Sequence, residues 1–124
     1  MPTHYENLLI WQKAMTVAEQ VYAITKAFPS SELFGLTSQM RRAAVSIPSN
    51  IAEGHARSEV TNEFKHFLHI AKGSLSELET QVKLAIRIKL INESDCKELL
   101  NNMDELSRML YRFIQSLSNK NKSK

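Results

Sequence analysis

The most suggestive chemical pattern in this 124-residue chain is a Glu-x-x-His pair followed by a second histidine. Glu63 and His66 have the spacing that di-iron helical bundles use, and His69 continues it by three more residues. A di-metal site needs a second such pair on another helix, and the chain has none. The sequence therefore predicts no metal site, and we interpret these histidines as surface or interface residues.

The only cysteine, Cys96, is the next candidate for chemistry, as a nucleophile. It follows a predicted helix start, where the positive end of the helix dipole could lower its pKa. No histidine lies near it in the sequence, and no glycine-rich phosphate loop or Gly-x-Ser-x-Gly motif occurs. The acidic pair Glu77 and Glu79 points to different helix faces, because residues two apart do not face each other. We expect no enzymatic activity, no cofactor and no metal.

Basic residues form the strongest candidate for a binding site. They lie on the second and third predicted helices and between them: Arg41, Arg42, Arg57, Lys65 and Lys72. Arginine forks suit phosphate oxygens, so several of these residues on one surface would bind RNA or DNA in a salt-dependent way. Alternatively, they form ion pairs within or between subunits with the nearby acids Glu53, Glu59 and Glu63. The sequence leaves both interpretations open.

The net charge of +3 is concentrated at the carboxyl end. Without Lys120, Lys122 and Lys124, the 16 basic residues become 13, which equals the number of acidic residues. We therefore predict one neutral domain over residues 1–117 and a solvated, disordered Ser/Asn/Lys tail over residues 118–124.

Four stretches of apolar residues repeat with alternating steps of four and three, which predicts four helices. We place them at about residues 7–27, from 36 or 37 to 54, from 58 or 61 to about 90, and from Ser94 onwards. Gly54 is interpreted as a left-handed terminator and Ser94 as an N-cap. The apolar seams are Ile10, Ala14, Val17, Val21, Ile24 and Phe28; Met40, Ala43, Ala44, Ile47 and Ile51; Phe64, Leu68, Ala71, Leu75, Leu78, Val82 and Ala85; and Leu99, Met103, Leu106, Leu110, Phe113 and Leu117. Short connections between such helices predict an all-α, antiparallel up-down four-helix bundle.

Pro48 interrupts the second helix between two apolar residues of its seam. Proline withdraws its N–H from the Ala44 carbonyl and clashes with it, which bends or breaks a helix. Because apolar positions continue on both sides, we predict one kinked helix rather than two helices. Ser49 and Asn50, together with Ser46, are expected to replace the lost hydrogen bond locally.

The third helix carries features that favour association. Gly73 in a helix interior costs about 1 kcal/mol relative to alanine, so we expect it to allow close approach of another helix, in the bundle or on another subunit. Apolar residues beyond the seams, such as Ile70 and Ile114, widen the faces of helices three and four.

No apolar run approaches the roughly 20 residues that span a bilayer, and no signal peptide is recognisable. We expect a cytoplasmic protein without a membrane partner.

The segments "LTSQMRRAAVSIPSNIAEGHAR" (residues 36–57) and "EFKHFLHIAKGSLSELETQV" (residues 63–82) resemble the bacterial four-helix-bundle family of proteins encoded in 23S rRNA intervening sequences. The start, from "ENLLIWQKA" to "AFPSSELFGL", is similar to the same family. The resemblance covers about residues 6–90. It implies an antiparallel bundle that assembles into a homopentamer with no known enzymatic activity. Similar proteins include the accessory variability determinant of diversity-generating retroelements, a basic pentameric barrel that binds nucleic acid and a reverse transcriptase.

These observations predict a non-enzymatic homo-oligomer, with five subunits implied by the resemblance, that acts as a scaffold or binding protein for RNA or DNA. The alternative is a module that binds only a partner protein and uses its basic residues for ion pairs. A ferritin-like metalloenzyme is the least favoured hypothesis. Neither the physiological ligand nor any link to the ribosome follows from the sequence.

Overall fold

The computed structural model describes the backbone of residues 4–122 and the side chains of residues 5–119. Within this range the chain forms four α-helices, α1 (Leu9–Thr25), α2 (Leu36–Ala56), α3 (Thr61–Arg87) and α4 (Lys97–Lys122). Short 3-10 turns cover His4–Asn7, Ser30–Glu32 and Glu93–Cys96, and no residue of the described part is in a β-strand. The prediction of an all-α helical bundle is confirmed.

The predicted seams form one buried apolar core, with small shifts at two helix ends. In the last turn of α1, Thr25 is buried and Ile24 only partly so. In α4, Ile114 is likewise buried more deeply than Phe113. An α-helix has 3.6 residues per turn, so a strict 3.5-residue seam drifts by about 20° per heptad. The buried position therefore moves on by one residue towards the end of each helix.

Each helix packs against two neighbours: α2 lies between α1 and α3, and α4 contacts both α1 and α3. The ring of Phe64, near the start of α3, lies 5.5 Å from that of Phe113, near the end of α4. Lys13 Nζ in α1 lies 3.1 Å from Glu105 Oε2 in α4. Such pairs are those expected between antiparallel neighbours, and the up-down course of the whole bundle stays a prediction.

Helix α2 runs without interruption through Pro48, as predicted, and the bend itself stays a prediction. The interpretation of Gly54 as a left-handed terminator is wrong. Gly54 lies inside α2, is buried, and has no positive φ angle. A Cβ atom there would lie 3.0 Å from Phe64 Cδ1 and 3.0 Å from Phe67 Cβ. Gly54 is therefore needed because α3 approaches the backbone of α2 at this point.

The left-handed residue lies instead at the end of α3, where Lys89 has a φ of 67°. The N–H of Leu90 donates to the Ala85 carbonyl at 2.9 Å, and that of Lys89 donates to the Ile86 carbonyl at 3.0 Å. This pair of bonds is a Schellman motif. Helix α4 begins at Lys97, and Ser94 lies inside the Glu93–Cys96 turn that precedes it. The prediction of Ser94 as the N-cap of this helix is therefore wrong.

Helix α4 extends as far as Lys122 in the described backbone. Residues 118–122 of the predicted disordered tail are therefore helical, whereas Ser123 and Lys124 lie outside the described residues, where disorder stays a prediction. No helix in the described part is long and apolar enough to cross a membrane.

Candidate binding surfaces

The five basic residues predicted from the sequence do not lie on one surface. Arg41 packs on the α1 side of α2: its Nε donates to Thr25 Oγ1 at 2.9 Å, and its guanidinium lies 4.7 Å from the centre of the Tyr22 ring. Lys72 lies on the α4 side of α3, with Nζ 5.5 Å from the Tyr111 ring centre. Arg41 and Lys72 thus lie between different pairs of helices.

Arg57, just beyond α2, forms an exposed ion pair with Glu53, with Nη2 and Oε1 2.8 Å apart. The hydrogen bond and charge of Glu53 raise the pKa of the guanidinium further above its ordinary value. The guanidinium also lies 5.2 Å from the centre of the Phe67 ring. This arrangement is the ion pair that the alternative interpretation of the basic residues expected.

Lys72 belongs to a basic cluster that the sequence interpretation missed. Together with Arg108, Arg112 and Tyr111 of α4, it lines a depression of about 420 Å³ between α3 and α4. Tyr111 is 56% exposed, and Arg108 pairs with Asp104 at 2.9 Å. The signal was available, because 108 and 112 are one turn apart and so share a helix face. Their proximity to Lys72 depends on how α3 packs against α4.

The remaining two residues of the predicted set, Arg42 and Lys65, make no ion pair with a described residue. Arg42 is exposed on α2, and Lys65 is half-buried on α3. Neither lines the Lys72 depression.

An apolar groove of about 620 Å³ lies between α1 and α2, and we call it the α1–α2 groove. Trp11 and Tyr5 stand at one end, with their rings 5.3 Å apart in an edge-to-face contact. The large apolar side chains that remain accessible in it are Met15, 37% exposed, Tyr22, 42%, and Val45, 43%. The groove combines apolar walls with few polar groups, which is typical of a surface that binds an apolar partner.

The predicted kink residues divide between the two sides of α2. Pro48 and Ser49 line the α1–α2 groove. Asn50 faces the other way: its Nδ2 donates to the Ser46 carbonyl at 2.8 Å and lies 3.0 Å from Ser46 Oγ. The Asn50 side chain therefore does not donate to the Ala44 carbonyl, and the prediction that it replaces the lost bond there is wrong. Ser46 Oγ in turn lies 2.8 Å from Ser74 Oγ, which links α2 to α3.

Helix α3, together with Ile88 directly after it, also presents an outward stripe of exposed residues beside its buried seam. Its members are all exposed and repeat at the steps of four and three that characterise a helix–helix contact: His66, Ile70, Gly73, Glu77, Thr80, Leu84 and Ile88. A Cβ atom at Gly73 would meet no atom within 4 Å. Of the two explanations for this glycine, close approach within the bundle is therefore wrong. Approach of another subunit stays a prediction.

Cys96, the candidate nucleophile, lies in an unfavourable setting. Cys96 is buried, and burial, helped by Asp95 and Glu93, raises the pKa of its thiol. A lowered pKa is therefore not supported, because loss of hydration and the two neighbouring carboxylates both disfavour the thiolate. Among the described residues, no group of three or more His, Cys, Asp or Glu side chains could hold a metal ion.

The comparisons with known proteins agree with this architecture. The family model of the 23S rRNA-intervening sequence protein matches residues 6–112. The chain belongs to this family. This family assignment covers all of α1, α2 and α3 and most of α4, so it extends beyond the residues that carried the sequence resemblance.

A solved relative confirms the fold alone. A protein of unknown function from the S23 ribosomal protein family of Bacteroides thetaiotaomicron VPI-5482 has a similar structure, with a TM-score of 0.78 at 23% sequence identity. The match covers 86% of this chain and 98% of that one. No curated protein matches the chain.

Proposed function

We propose that this protein is a non-enzymatic scaffold that self-associates, with the α1–α2 groove of one copy binding the outward stripe of α3 of the next. The observation that carries the proposal is the groove, whose exposed tyrosine, methionine and valine side chains a monomer would leave in water. Contiguous apolar surfaces of this kind mark interaction sites in proteins that are otherwise well packed.

A second copy is the favoured occupant because the chain carries a complementary ridge. The stripe has Ile70, Leu84 and Ile88 exposed, and an outward helix face offers the convex shape that a groove accepts. Gly73 lies in its centre under open space. A glycine in a helix interior costs about 1 kcal/mol, and contact with a neighbouring copy would explain why it is present.

The proposed contact joins two different surfaces of the chain. The groove lies between α1 and α2, whereas α3 packs against α2 and α4, so the two surfaces cannot meet within one copy. A contact between two different surfaces is head-to-tail and closes into a ring when the rotation allows. The sequence resemblance implies five subunits for that ring.

Light scattering coupled to size-exclusion chromatography tests the proposal. We expect a monodisperse oligomer for the native chain and dissociation on Val45→Lys combined with Met15→Lys, because two charges would be buried in the groove. Phe34→Lys is the matched control, since Phe34 is 94% exposed and belongs to neither surface. Leu84→Lys should also dissociate the oligomer. A monomeric native chain, or an oligomer that survives all three groove and stripe changes, would refute self-association through these surfaces.

Nucleic-acid binding is the second candidate function, and the basic cluster between α3 and α4 favours it. Lys72 and Arg112 flank the exposed ring of Tyr111, and this combination of charge with a stacking platform suits single-stranded RNA or DNA. Mobility shift at two salt concentrations tests it. Binding should weaken at high salt, and it should fall on Lys72→Gln combined with Tyr111→Ala.

The residues first predicted from the sequence provide the comparison for that experiment. Arg41→Ala combined with Arg42→Ala should leave binding to the α3–α4 cluster unchanged, provided that the oligomer is intact. If the Arg41/Arg42 variant alone loses binding, the nucleic acid binds the α2 surface instead. No shift at low salt would leave the alternative of a module that binds only proteins.

A further inference from the structure

A second cavity, of about 320 Å³, lies where the end of α1 meets the start of α2. Its polar lining comes from Thr25 and Lys26 of the α1 end, Ser30 of the connection, and Thr37 and Arg41 of α2. No residue of the α3–α4 cluster contributes to it. Phe28, Pro29 and Leu33 form its apolar wall. It differs from the α1–α2 groove in its position at a helix start and in its larger share of polar lining residues.

Hydrogen-bond donors without acceptors meet at this cavity. The Thr37 side chain is 4% exposed, and its Oγ1 has no hydrogen-bond partner among the described residues. An unpaired buried hydroxyl is costly unless a ligand or water bonds to it. The backbone N–H of Thr37, and that of Ser38, which follows it and does not itself line the cavity, likewise have no acceptor in the described structure. The N–H of Leu36 donates to Glu32 Oε1 at 3.3 Å.

The charge at the cavity is positive. The bond from Arg41 Nε to Thr25 Oγ1 fixes the guanidinium and leaves its two terminal amino groups available. Neither Arg41 nor Lys26 forms an ion pair with a described residue. The start of the 21-residue helix α2 adds the positive end of its dipole. Glu32 is the acidic group that bonds to this helix end, and it opposes two cations and the dipole.

We propose that this cavity, which we call the α2 cap site, binds a phosphate group as the dianion of inorganic phosphate or of a phosphate monoester. A phosphate carries several acceptor oxygens. It could therefore accept bonds from the Thr37 hydroxyl, the Thr37 and Ser38 amides and the Arg41 fork together. The site does not require self-association or the basic cluster between α3 and α4, so each can fail while the others hold.

Titration of the full chain with inorganic phosphate, followed by amide NMR at constant ionic strength in chloride, tests the site. We expect saturable shifts of the Thr37 and Ser38 amides, with chloride alone giving none. Arg41→Gln should weaken binding about tenfold, because it removes a bond between two charged groups. Arg42→Gln is the matched control, since Arg42 is adjacent but does not line the cavity, and it should change affinity less than about twofold.

Thr37→Val separates binding from structure. It keeps the shape and removes only a hydroxyl that has no partner, so thermal stability should be unchanged or higher while phosphate binding weakens several-fold. Shifts that do not saturate, or binding that Thr37→Val and Arg41→Gln both leave intact, would overturn the proposal.

The source of the phosphate is resolved by comparing three probes. Oligonucleotides with and without a 5′-phosphate, and inorganic phosphate, are titrated under the same conditions. Tighter binding of the phosphorylated oligonucleotide than of inorganic phosphate identifies a terminal phosphate monoester as the ligand. Equal affinities, with the unphosphorylated oligonucleotide inactive at Thr37, identify free phosphate.

Discussion

The two sides of α2 differ in how closely they pack against the neighbouring helices. Towards α3, the helix presents Ser46, Asn50 and Gly54, and the two backbones approach closely enough for a serine–serine hydrogen bond of 2.8 Å. Towards α1, it presents Val45 and Pro48, and a groove of about 620 Å³ remains open. One helix therefore makes a close contact on one side and an incomplete one on the other.

Side-chain size explains why one face of α2 packs closely and the other stays open. Small residues on the α3 side let the helices bury each other's surface within one chain. On the α1 side, the large rings of Trp11 and Tyr22 line the groove, and the apolar area there is the surface that we propose to bind a partner. Substitutions on the α3 side should therefore affect stability, and those on the α1 side should affect association.

The largest expected effect is at Gly54. Gly54→Val should lower the free energy of unfolding by about 3 kcal/mol, because the new side chain would overlap Phe64 and Phe67 of α3. Chemical denaturation monitored by circular dichroism measures the change. Gly73→Val is the matched control on α3, and with open space above it the monomer should be unchanged or slightly more stable. Equal losses in both variants would contradict a close contact at Gly54.

The serine bond between α2 and α3 should come next. Ser46→Ala removes the contacts of its hydroxyl with Ser74 and Asn50, and we expect a loss of about 1.5 kcal/mol. Ser49→Ala, on the groove side of the same helix, should change stability by less than about 0.5 kcal/mol. A double-mutant cycle with Ser74→Ala isolates the serine pair, and a coupling near zero would show that the bond is not stabilising.

Pro48→Ala tests why the open side tolerates a proline. Restoring the N–H and helix propensity should add about 3 kcal/mol, and losing the buried ring and chain stiffness should remove about 2 kcal/mol. The net gain of about 1 kcal/mol in the monomer should come with weaker self-association, because Pro48 lines the groove. A net loss above 2 kcal/mol would instead mean that the packing of α1 requires the proline geometry.

We expect the smallest effect on stability at Glu79 of α3, which lies away from both sides of α2 that are compared above. Burial raises the pKa of the Glu79 carboxyl; Lys83 opposes the shift and Asp104 adds to it. The folded state therefore holds this proton more tightly, so its contribution to stability is present below the ordinary pKa and is lost as the pH rises through the raised pKa. Glu79→Gln should slightly stabilise the protein at pH 7 and flatten this part of the pH profile. Unchanged pH dependence would contradict the raised pKa.

Much of the fold could be predicted from the sequence because apolar periodicity is a local property. The spacing of residues such as Val17, Leu68 and Leu106 indicated which face of each helix is buried, and those residues are fully buried. Helix ends were harder to predict. Gly54 suggested a terminator, yet it allows close packing, and the left-handed residue is Lys89, which composition would not suggest.

The candidate sites were less predictable because they combine residues from different helices. The sequence could name Lys72 as a basic residue, but not its neighbours Arg112 and Tyr111. It placed Arg41 beside Arg42, whereas the structure turns Arg41 towards Thr25 and a cavity with Thr37. Side chains of adjacent residues on a helix point about 100° apart, so two neighbours in the sequence can face different surfaces.

Residue spacing was enough to predict four amphipathic helices, their buried faces and the continuity of α2 through Pro48, since each depends on residues within a few turns of one another. The packing of the helices was needed to show that α2 lies close to α3 and loosely on α1, which basic residues lie together, and that Gly73 faces open space. These properties depend on distances between helices. Those distances are set by which side chains meet when the core closes, and residue spacing along one helix does not encode them.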